Sequence, residues 1–460
     1  MARDVTDTTH ISSRDELVAW MEAGCKAPEQ FRIGAEHEKI PFYTADKSPV
    51  PYEGRNGADN GIRALLEGLQ TRTGWAPIMD GAALIGLFDE QGGGAISLEP
   101  GGQFELSGAP LDNVHAVEAE FDQHMADVKA VAAPLGMGFL DIGMSPLWTR
   151  EQTPIMPKQR YGIMMRYMPK VGSRGLDMMF RTSTVQVNLD FQSEQDMVRK
   201  LRVSLALQPV ATALFANSPF TDGKPNGMLS MRSEIWRDTD GARTGMLPFA
   251  FEPGMGFERF VDYALDVPLY FVKRGDHYHD VAGGSFRDLL AGRLPQLPGE
   301  RATMADWANH LSTLFPEVRV KRYIEMRGCD VGPRAHISAL PALFVGLLYD
   351  GAALDEAERL VADWTAEDRQ KLRDEAPRLG LAAMIRGRKL RDVAVDTLAI
   401  ARRGLARRAR KDAGGQDETR HLEVLERFAE SGRPLAADLI ERYQTRWGGS
   451  VLPAFEECVF

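Results

Sequence analysis

Arg322-Tyr323-Ile324-Glu325-Met326-Arg327-Gly328-Cys329-Asp330 is the stretch from which the fold is read. A strand sends alternate side chains to opposite faces, so Tyr323, Glu325 and Arg327 point together. Ile324 and Met326 then face a core. An apolar face backing a carboxylate and a guanidinium is an unusual strand, because buried charges are costly unless paired or bound to an ion. If this strand lies inside a sheet, something charged sits over it.

Other segments supply company. Phe31 to Phe42 carries Glu36 and Glu38 on one strand face, although an edge strand with solvated carboxylates would read the same way. Ile96 to Leu98 and Gln103 to Ser107 read as two strands turning at Pro100-Gly101-Gly102. Pairing them brings Glu99 and Glu105 toward one surface, where they repel unless a cation lies between them. In Thr182 to Phe191, Thr184, Gln186 and Asn188 share a polar face opposite Val185, Val187 and Leu189. Amides in place of Lys and Glu favour a binding face over a solvated one. Glu36, Glu38, Glu99, Glu105 and Glu325 cannot all be ionised together without cations, and all-oxygen ligation suits Mg²⁺. The segment Ser230 to Gly245 contains Arg232, Arg237 and Arg243. They either grip a carboxylate or phosphate or pair locally with Glu234, Asp238 and Asp240. A Mg²⁺ floor with arginines above it fits phosphoryl transfer from ATP.

Composition is that of an ordinary soluble globular protein. The 460 residues are 44% hydrophobic and 26% charged, with a net charge of −10, which argues against a molecule built around nucleic acid. Arg386 to Lys411 is basic and amphipathic, a pattern shared by nucleic-acid contacts and solvated helix faces. No apolar run reaches the roughly 18 residues that span a bilayer. P-loop, dinucleotide, G-x-S-x-G, H-E-x-x-H and C-x-x-C patterns are missing. The two histidines of His277-Tyr278-His279 lack a third metal ligand nearby, and His115 and His124 read as surface or boundary residues on a helix from Asp112 to Ala133. Ser13 and Glu16 read as a capping box; Pro154 to Asp177 reads as loop. Short helices and loops between antiparallel-looking strands favour α+β.

Five ordered motifs then carry a resemblance: Gly34-Ala35-Glu36-His37-Glu38-Lys39, Leu98 to Ser107, Thr184 to Phe191, Arg232-Ser233-Glu234-Ile235-Trp236 and Tyr323 to Gly328. Together they resemble the glutamate–cysteine ligase family of plants and proteobacteria. The resemblance implies a curved, mainly antiparallel six-stranded sheet forming a half-barrel active site, as in glutamine synthetase, surrounded by helices. It implies residues 1–345 as the catalytic core, with a helical region 346–460 packed on it as one integrated unit. It further implies ATP-dependent joining of the glutamate γ-carboxylate to cysteine through γ-glutamyl phosphate, the first step of glutathione synthesis. A related γ-glutamyl ligase with another amine acceptor remains open.

By the same resemblance, Glu36, Glu38, Glu99, Glu105 and Glu325 are Mg²⁺ ligands. Arg327 and Lys321 face ATP; Gln186, Asn188, Arg232, Arg237 and Arg243 face substrate; and Glu325, Arg327 and Arg232 are catalytic. Expected partners are glutamate, cysteine and ATP, with no nucleic acid or membrane, in a monomer or weak homodimer. Cys25, Cys329 and Cys458 offer no close-spaced pair for the disulfide regulation of plant members, and Cys329 reads as a packed core residue. Few cysteines and a polar N-terminus without a transit pattern point to a bacterial cytoplasm.

Overall fold

A computed structural model describes residues 6–460. Its centre is a sheet of nine strands: β1 Ile33–Tyr43, β2 Ala76–Asp80, β3 Ala83–Phe88, β4 Ala95–Leu98, β5 Phe104–Ser107, β6 Met137–Leu140, β7 Thr184–Leu189, β8 Val318–Val320 and β9 Ile324–Asp330. The order is β8-β9-β7-β1-β5-β4-β3-β2, with β6 beside the distal half of β1, and every pairing is antiparallel. The α+β expectation is met. The strand count of six is corrected to nine, because short hairpin partners add β2 and β8 at the edges and the eleven-residue β1 is long enough to pair with β6 as well.

The sheet face is set by period-two alternation. Val185, Val187 and Leu189 of β7 and Ile324 and Met326 of β9 are buried, as their apolar runs require. The helix Glu194–Leu214 packs beneath β9, and the helix Arg334–Leu348 beneath β7 and β1. The latter crosses the helix Leu390–Arg408 so closely that a Cβ on Gly404 would lie 1.9 Å from the Gly346 carbonyl oxygen. One cluster of buried apolar side chains runs from Ile11 to Ala429 and so crosses the 345/346 boundary.

Local expectations fare unevenly. Residues 154–177 hold the helix Gln159–Tyr167, a 3-10 turn Met168–Lys170 and the start of the helix Gly175–Arg181, pieces too short to show a clear period. Ser13 precedes the helix Arg14–Glu22 without capping it; the Glu16 carboxylate instead accepts from the Ser12 amide at 3.2 Å. His124 is buried, its ring 5.6 Å from that of His37, so it is a core residue and not a boundary one. In the basic segment, Arg388, Arg402, Arg403, Arg407 and Arg408 all pair with acidic side chains of the chain itself.

Candidate active site

The face of the sheet opposite those helices carries a polar row fixed by register. Arg319 of β8 stands opposite Glu325 of β9, which stands opposite Asn188 of β7. Two residues along, Gln186 of β7 faces Glu36 of β1; then Glu38 faces Glu105 of β5, which faces Ser97 of β4. Directly opposed side chains in an antiparallel pair lie close enough to interact, so the strand order itself brings four separate segments to one surface.

The row is interrupted by a bulge. Met326 pairs with Val187, but the next pairing joins Cys329 to Val185, leaving Arg327 and Gly328 together opposite one residue. Gly328 tolerates the crowding because a Cβ there would lie 2.5 Å from both the Gln208 amide nitrogen and the Glu317 carboxylate. The displaced Arg327 carbonyl accepts from Nη2 of Arg232 at 2.9 Å, which ties the short helix Met231–Ile235 to the sheet.

Above the row lies a cleft whose walls include Glu36, Glu38, Glu99, Glu105, Gln186, Arg232, Arg319 and Arg327. Glu36 accepts from Asn188 Nδ2 at 2.8 Å and Gln186 Nε2 at 3.4 Å. Glu38 accepts from the Thr184 amide at 3.0 Å. Glu105 accepts from Ser107 Oγ at 2.7 Å and Ser97 Oγ at 3.2 Å. Glu99 sits in the β4–β5 turn, where Gly102 is left-handed (φ 87°) and its amide donates to the Glu99 carbonyl at 2.9 Å. Burial, then repulsion from Glu105, pushes the Glu99 carboxyl up to about 7. Burial, then Glu99 and Glu105, raises Glu38 well above the ordinary carboxylate range. Glu105 moves the other way: burial opposes its charge, but the Ser107 hydroxyl and Lys158 help to hold its carboxyl below the usual range, so the repulsion falls on Glu38 and Glu99. Among the described residues no three metal-ligating side chains converge tightly enough to form a metal-holding group.

Glu325 behaves differently. It is 0% exposed and lies below the cleft floor. Arg319 grips it in a fork (Nε 3.0 Å, Nη2 2.8 Å), Lys321 Nζ lies at 3.1 Å, and Arg327 Nη1 closes the third side. Burial opposes its charge, but Arg319, Lys321 and Arg327 outweigh that and hold the carboxyl well below its usual range. Its oxygens are therefore already occupied. Lys321 is likewise below the floor, between Glu325 and the Tyr323 hydroxyl at 3.2 Å.

Of the three loop arginines only Arg232 reaches the cleft. It is buried, and Nε and Nη1 have no partner among the described residues. Arg237 pairs with Glu234 at 2.8 Å and Asp374 at 3.0 Å, outside the cleft. Arg243 is held by Asp240 at 2.6 Å and by the Thr313 and Pro268 carbonyls, with Tyr270 beneath its guanidinium. Local pairing, the other sequence reading of these arginines, thus describes two of the three. Arg319, Arg160, Tyr161 and Trp236 line the cleft but were not singled out from sequence. Val318-Arg319-Val320, a charge flanked by apolar residues, carried the same signal as Ile324-Glu325-Met326.

The family model described as glutamate–cysteine ligase family 2 matches residues 32–457. The chloroplastic glutamate–cysteine ligase of Arabidopsis thaliana is 53% identical over 97% of this chain and 83% of its own length. The Nicotiana tabacum enzyme is 52% identical over the same shares, and the B form of Oryza sativa subsp. japonica is 51% identical over 99% and 89%. The fold is similar to a glutamate–cysteine ligase of Francisella tularensis solved in complex with AMP, with a TM-score of 0.52 at 13% identity over 90% of this chain and 85% of that one. These relatives are chloroplastic, which contradicts the expectation of a bacterial cytoplasm; a low cysteine count suits any reducing compartment and could not separate the two. With a match along nearly its whole length, the chain belongs to glutamate–cysteine ligase family 2.

Proposed function

We propose that the cleft above the carboxylate row is where glutamate, ATP and cysteine meet. The chain is a glutamate–cysteine ligase, forming γ-glutamylcysteine with ATP in the first step of glutathione synthesis. The observation that carries the placement is the crowding of Glu38, Glu99 and Glu105 beside Arg232, Arg319 and Arg327 in one cleft.

The donor set fits Mg²⁺: all oxygen, buried and mutually repelling, with Glu38, Glu99 and Glu105 as holders and Glu36 beside them. Glu325 is left out of that set because its oxygens are taken by three cations. Bound there, Mg²⁺ would screen the phosphates of ATP so that an anionic nucleophile can approach. Arg327 and Arg319, held by Glu325, bind phosphate oxygens or the charge developing on the transferred group. Arg232 offers Nε and Nη1 to a carboxylate or to that phosphoryl group. Lys321 acts through Glu325 and does not touch nucleotide.

The glutamate γ-carboxylate attacks the γ-phosphate of ATP, releasing ADP and leaving γ-glutamyl phosphate. The cysteine amine adds to the acyl carbon, phosphate departs, and the amine proton passes to solvent. No protein nucleophile takes part; Cys329 is buried on the core side and burial raises its thiol pKa further. Positioning and preorganised charge supply the catalysis. The family's half-barrel curvature and a single unit joining 1–345 to 346–460 belong to the same proposal, supported by the shared core.

The test is Mg²⁺ titration of ADP release with glutamate and cysteine. Glu38→Gln should raise the Mg²⁺ concentration for half-maximal rate about tenfold or more, which corresponds to losing one charged ligand. An unchanged titration would remove Glu38 from the metal set.

A further inference from the structure

Asp330 closes β9 at 1% exposure, a buried carboxylate that no step of the ligase reaction uses. It gathers three donors from two other segments. Oδ2 accepts from the Asn217 amide at 2.8 Å and the Ser218 hydroxyl at 2.6 Å, and Oδ1 accepts from the Ser230 hydroxyl at 2.8 Å. Gly143 backs it closely, since a Cβ there would lie 2.6 Å from both Cβ and Cγ of Asp330.

A serine hydroxyl has one hydrogen to give, and an ionised carboxylate can only accept. With both hydroxyl hydrogens spent on Asp330, the oxygens of Ser218 and Ser230 are left as acceptors. Ser218 Oγ accepts from the Arg232 amide at 3.1 Å, and Ser230 Oγ, the N-cap, from the Ser233 amide at 3.2 Å. Both amides belong to the opening turn of the helix Met231–Ile235, and the first amides of a helix have no partner within it. That turn is therefore aimed by a chain of carboxylate, hydroxyl and amide. The backbone around it is docked independently on the helix Ala366–Leu379. There the Pro377 carbonyl accepts from the Leu229 and Ser230 amides at 2.8 and 2.9 Å, and Arg373 Nη2 donates to the Ser233 carbonyl at 3.0 Å. The charges are linked as well: burial disfavours ionisation of both Asp330 and Arg232, and each is the strongest influence sustaining the other against it.

We propose that Asp330 is a positioning residue for Arg232: through Ser218 and Ser230 it sets the first turn of Met231–Ile235, and so the direction in which the Arg232 guanidinium meets its oxyanion. It rests on the ligase reading, in which that oxyanion belongs to a substrate carboxylate or to the transferred phosphoryl group. Asp330 touches no reactant, and its effect on the reaction passes through one side chain. A guanidinium recognises such groups through a planar fork, so a small turn of its backbone costs more than the same shift of a point charge.

The experiment uses the full chain in four variants: Arg232→Lys, Asp330→Asn, Ser230→Ala, and Arg232→Lys combined with Asp330→Asn. Asn keeps the shape of Asp330 but turns one acceptor into a donor. Ser230→Ala removes one hydroxyl and keeps the carboxylate, which carries the test if the Asn variant does not fold. Circular dichroism and urea unfolding show which variants are folded; kcat and the KM values for glutamate, cysteine and ATP are then measured. Arg232→Lys identifies what Arg232 holds, by the KM that rises or, for the phosphoryl group, by a fall in kcat alone. Asp330→Asn should move that same parameter roughly tenfold and Ser230→Ala should move it less, with the others within twofold. The double variant should be within twofold of Arg232→Lys, because the guanidinium that Asp330 aims is already gone. Effects that multiply in the double variant, equal rises in all three KM values, or unchanged kinetics in both Asp330→Asn and Ser230→Ala would overturn the proposal. A wild type that does not ligate cysteine sinks the ligase reading instead. Calorimetric titration with glutamate and with cysteine, without turnover, then makes the same comparison: affinity weakened by Arg232→Lys but untouched by Asp330→Asn overturns the positioning role.

Discussion

Glu325 provides the sharpest test of how the site is built. As a metal ligand, its loss would change Mg²⁺ affinity and leave the fold intact. As the buried counter-ion of Arg319, Lys321 and Arg327, its loss would strike stability first. In Glu325→Ala, Arg319 keeps its bonds from Nη1 to the Ser312 and Leu314 carbonyls at 2.8 Å each, but its Nε and Nη2 lose their partners. Lys321 keeps only the Tyr323 hydroxyl, and Arg327 loses its pairing outright. Removing one member of a buried ion pair costs about 3–5 kcal/mol, because the remaining charge is stranded. Three cations are stranded here, though such terms are not additive. A loss of about 4 kcal/mol is a large share of the roughly 5–15 kcal/mol that holds a protein folded. Urea unfolding at pH 7 measures it, and Glu325→Gln, which keeps one acceptor, should fall between wild type and Ala. The sign with pH follows from the depressed carboxyl: its contribution is present above the ordinary value of 4.5 and drains away as pH falls through the folded-state value. A loss under about 1 kcal/mol, combined with a raised Mg²⁺ requirement, would refute the counter-ion role and restore the metal role.

Two further outcomes follow from the core. His336 is buried with neither ring nitrogen partnered, and burial lowers its pKa from 6.5 to about 4. Its neutral form therefore favours the fold above pH 6.5, and that advantage is lost as pH falls toward 4; between pH 7 and 5 the cost is about 2 kcal/mol. His336→Leu should flatten the fall in urea midpoint over that interval, and an equal fall in both proteins would show another group responsible. Gly404→Ala drives a methyl into the Gly346 carbonyl, so melting should show a loss of about 3 kcal/mol, and an unchanged Tm would mean the two helices separate freely.

Strand faces were legible in the sequence because a period of two needs no tertiary information: Glu36, Glu38, Glu105 and Gln186 do share one surface. What sequence cannot carry is the partner across the ladder. Glu325 reads as a ligand until Arg319 is placed opposite it. Composition likewise offered three arginines between 230 and 245, and only the turn geometry decides that Arg232 faces the cleft while Arg243 stacks on Tyr270. Arg373 was out of reach for the same reason, since its helix pattern says which side is buried but not what lies beyond. Edge strands of three to five residues are too short to show a period, which is why the sheet proved wider than expected.

The apolar cluster running from Ile11 to Ala429 has a consequence for biosynthesis. A chain emerging from the ribosome presents every catalytic strand by residue 330, yet the helix Leu390–Arg408, which clasps the helix beneath β7 and β1, has not yet been made. Until then the outer face of the helix Arg334–Leu348 lacks its cover, and the nascent protein exposes apolar surface that chaperones bind, with every catalytic strand made and the core unfinished. Maturation would then be late and abrupt, and a premature stop beyond residue 345 would yield sticky debris in place of a partly active enzyme.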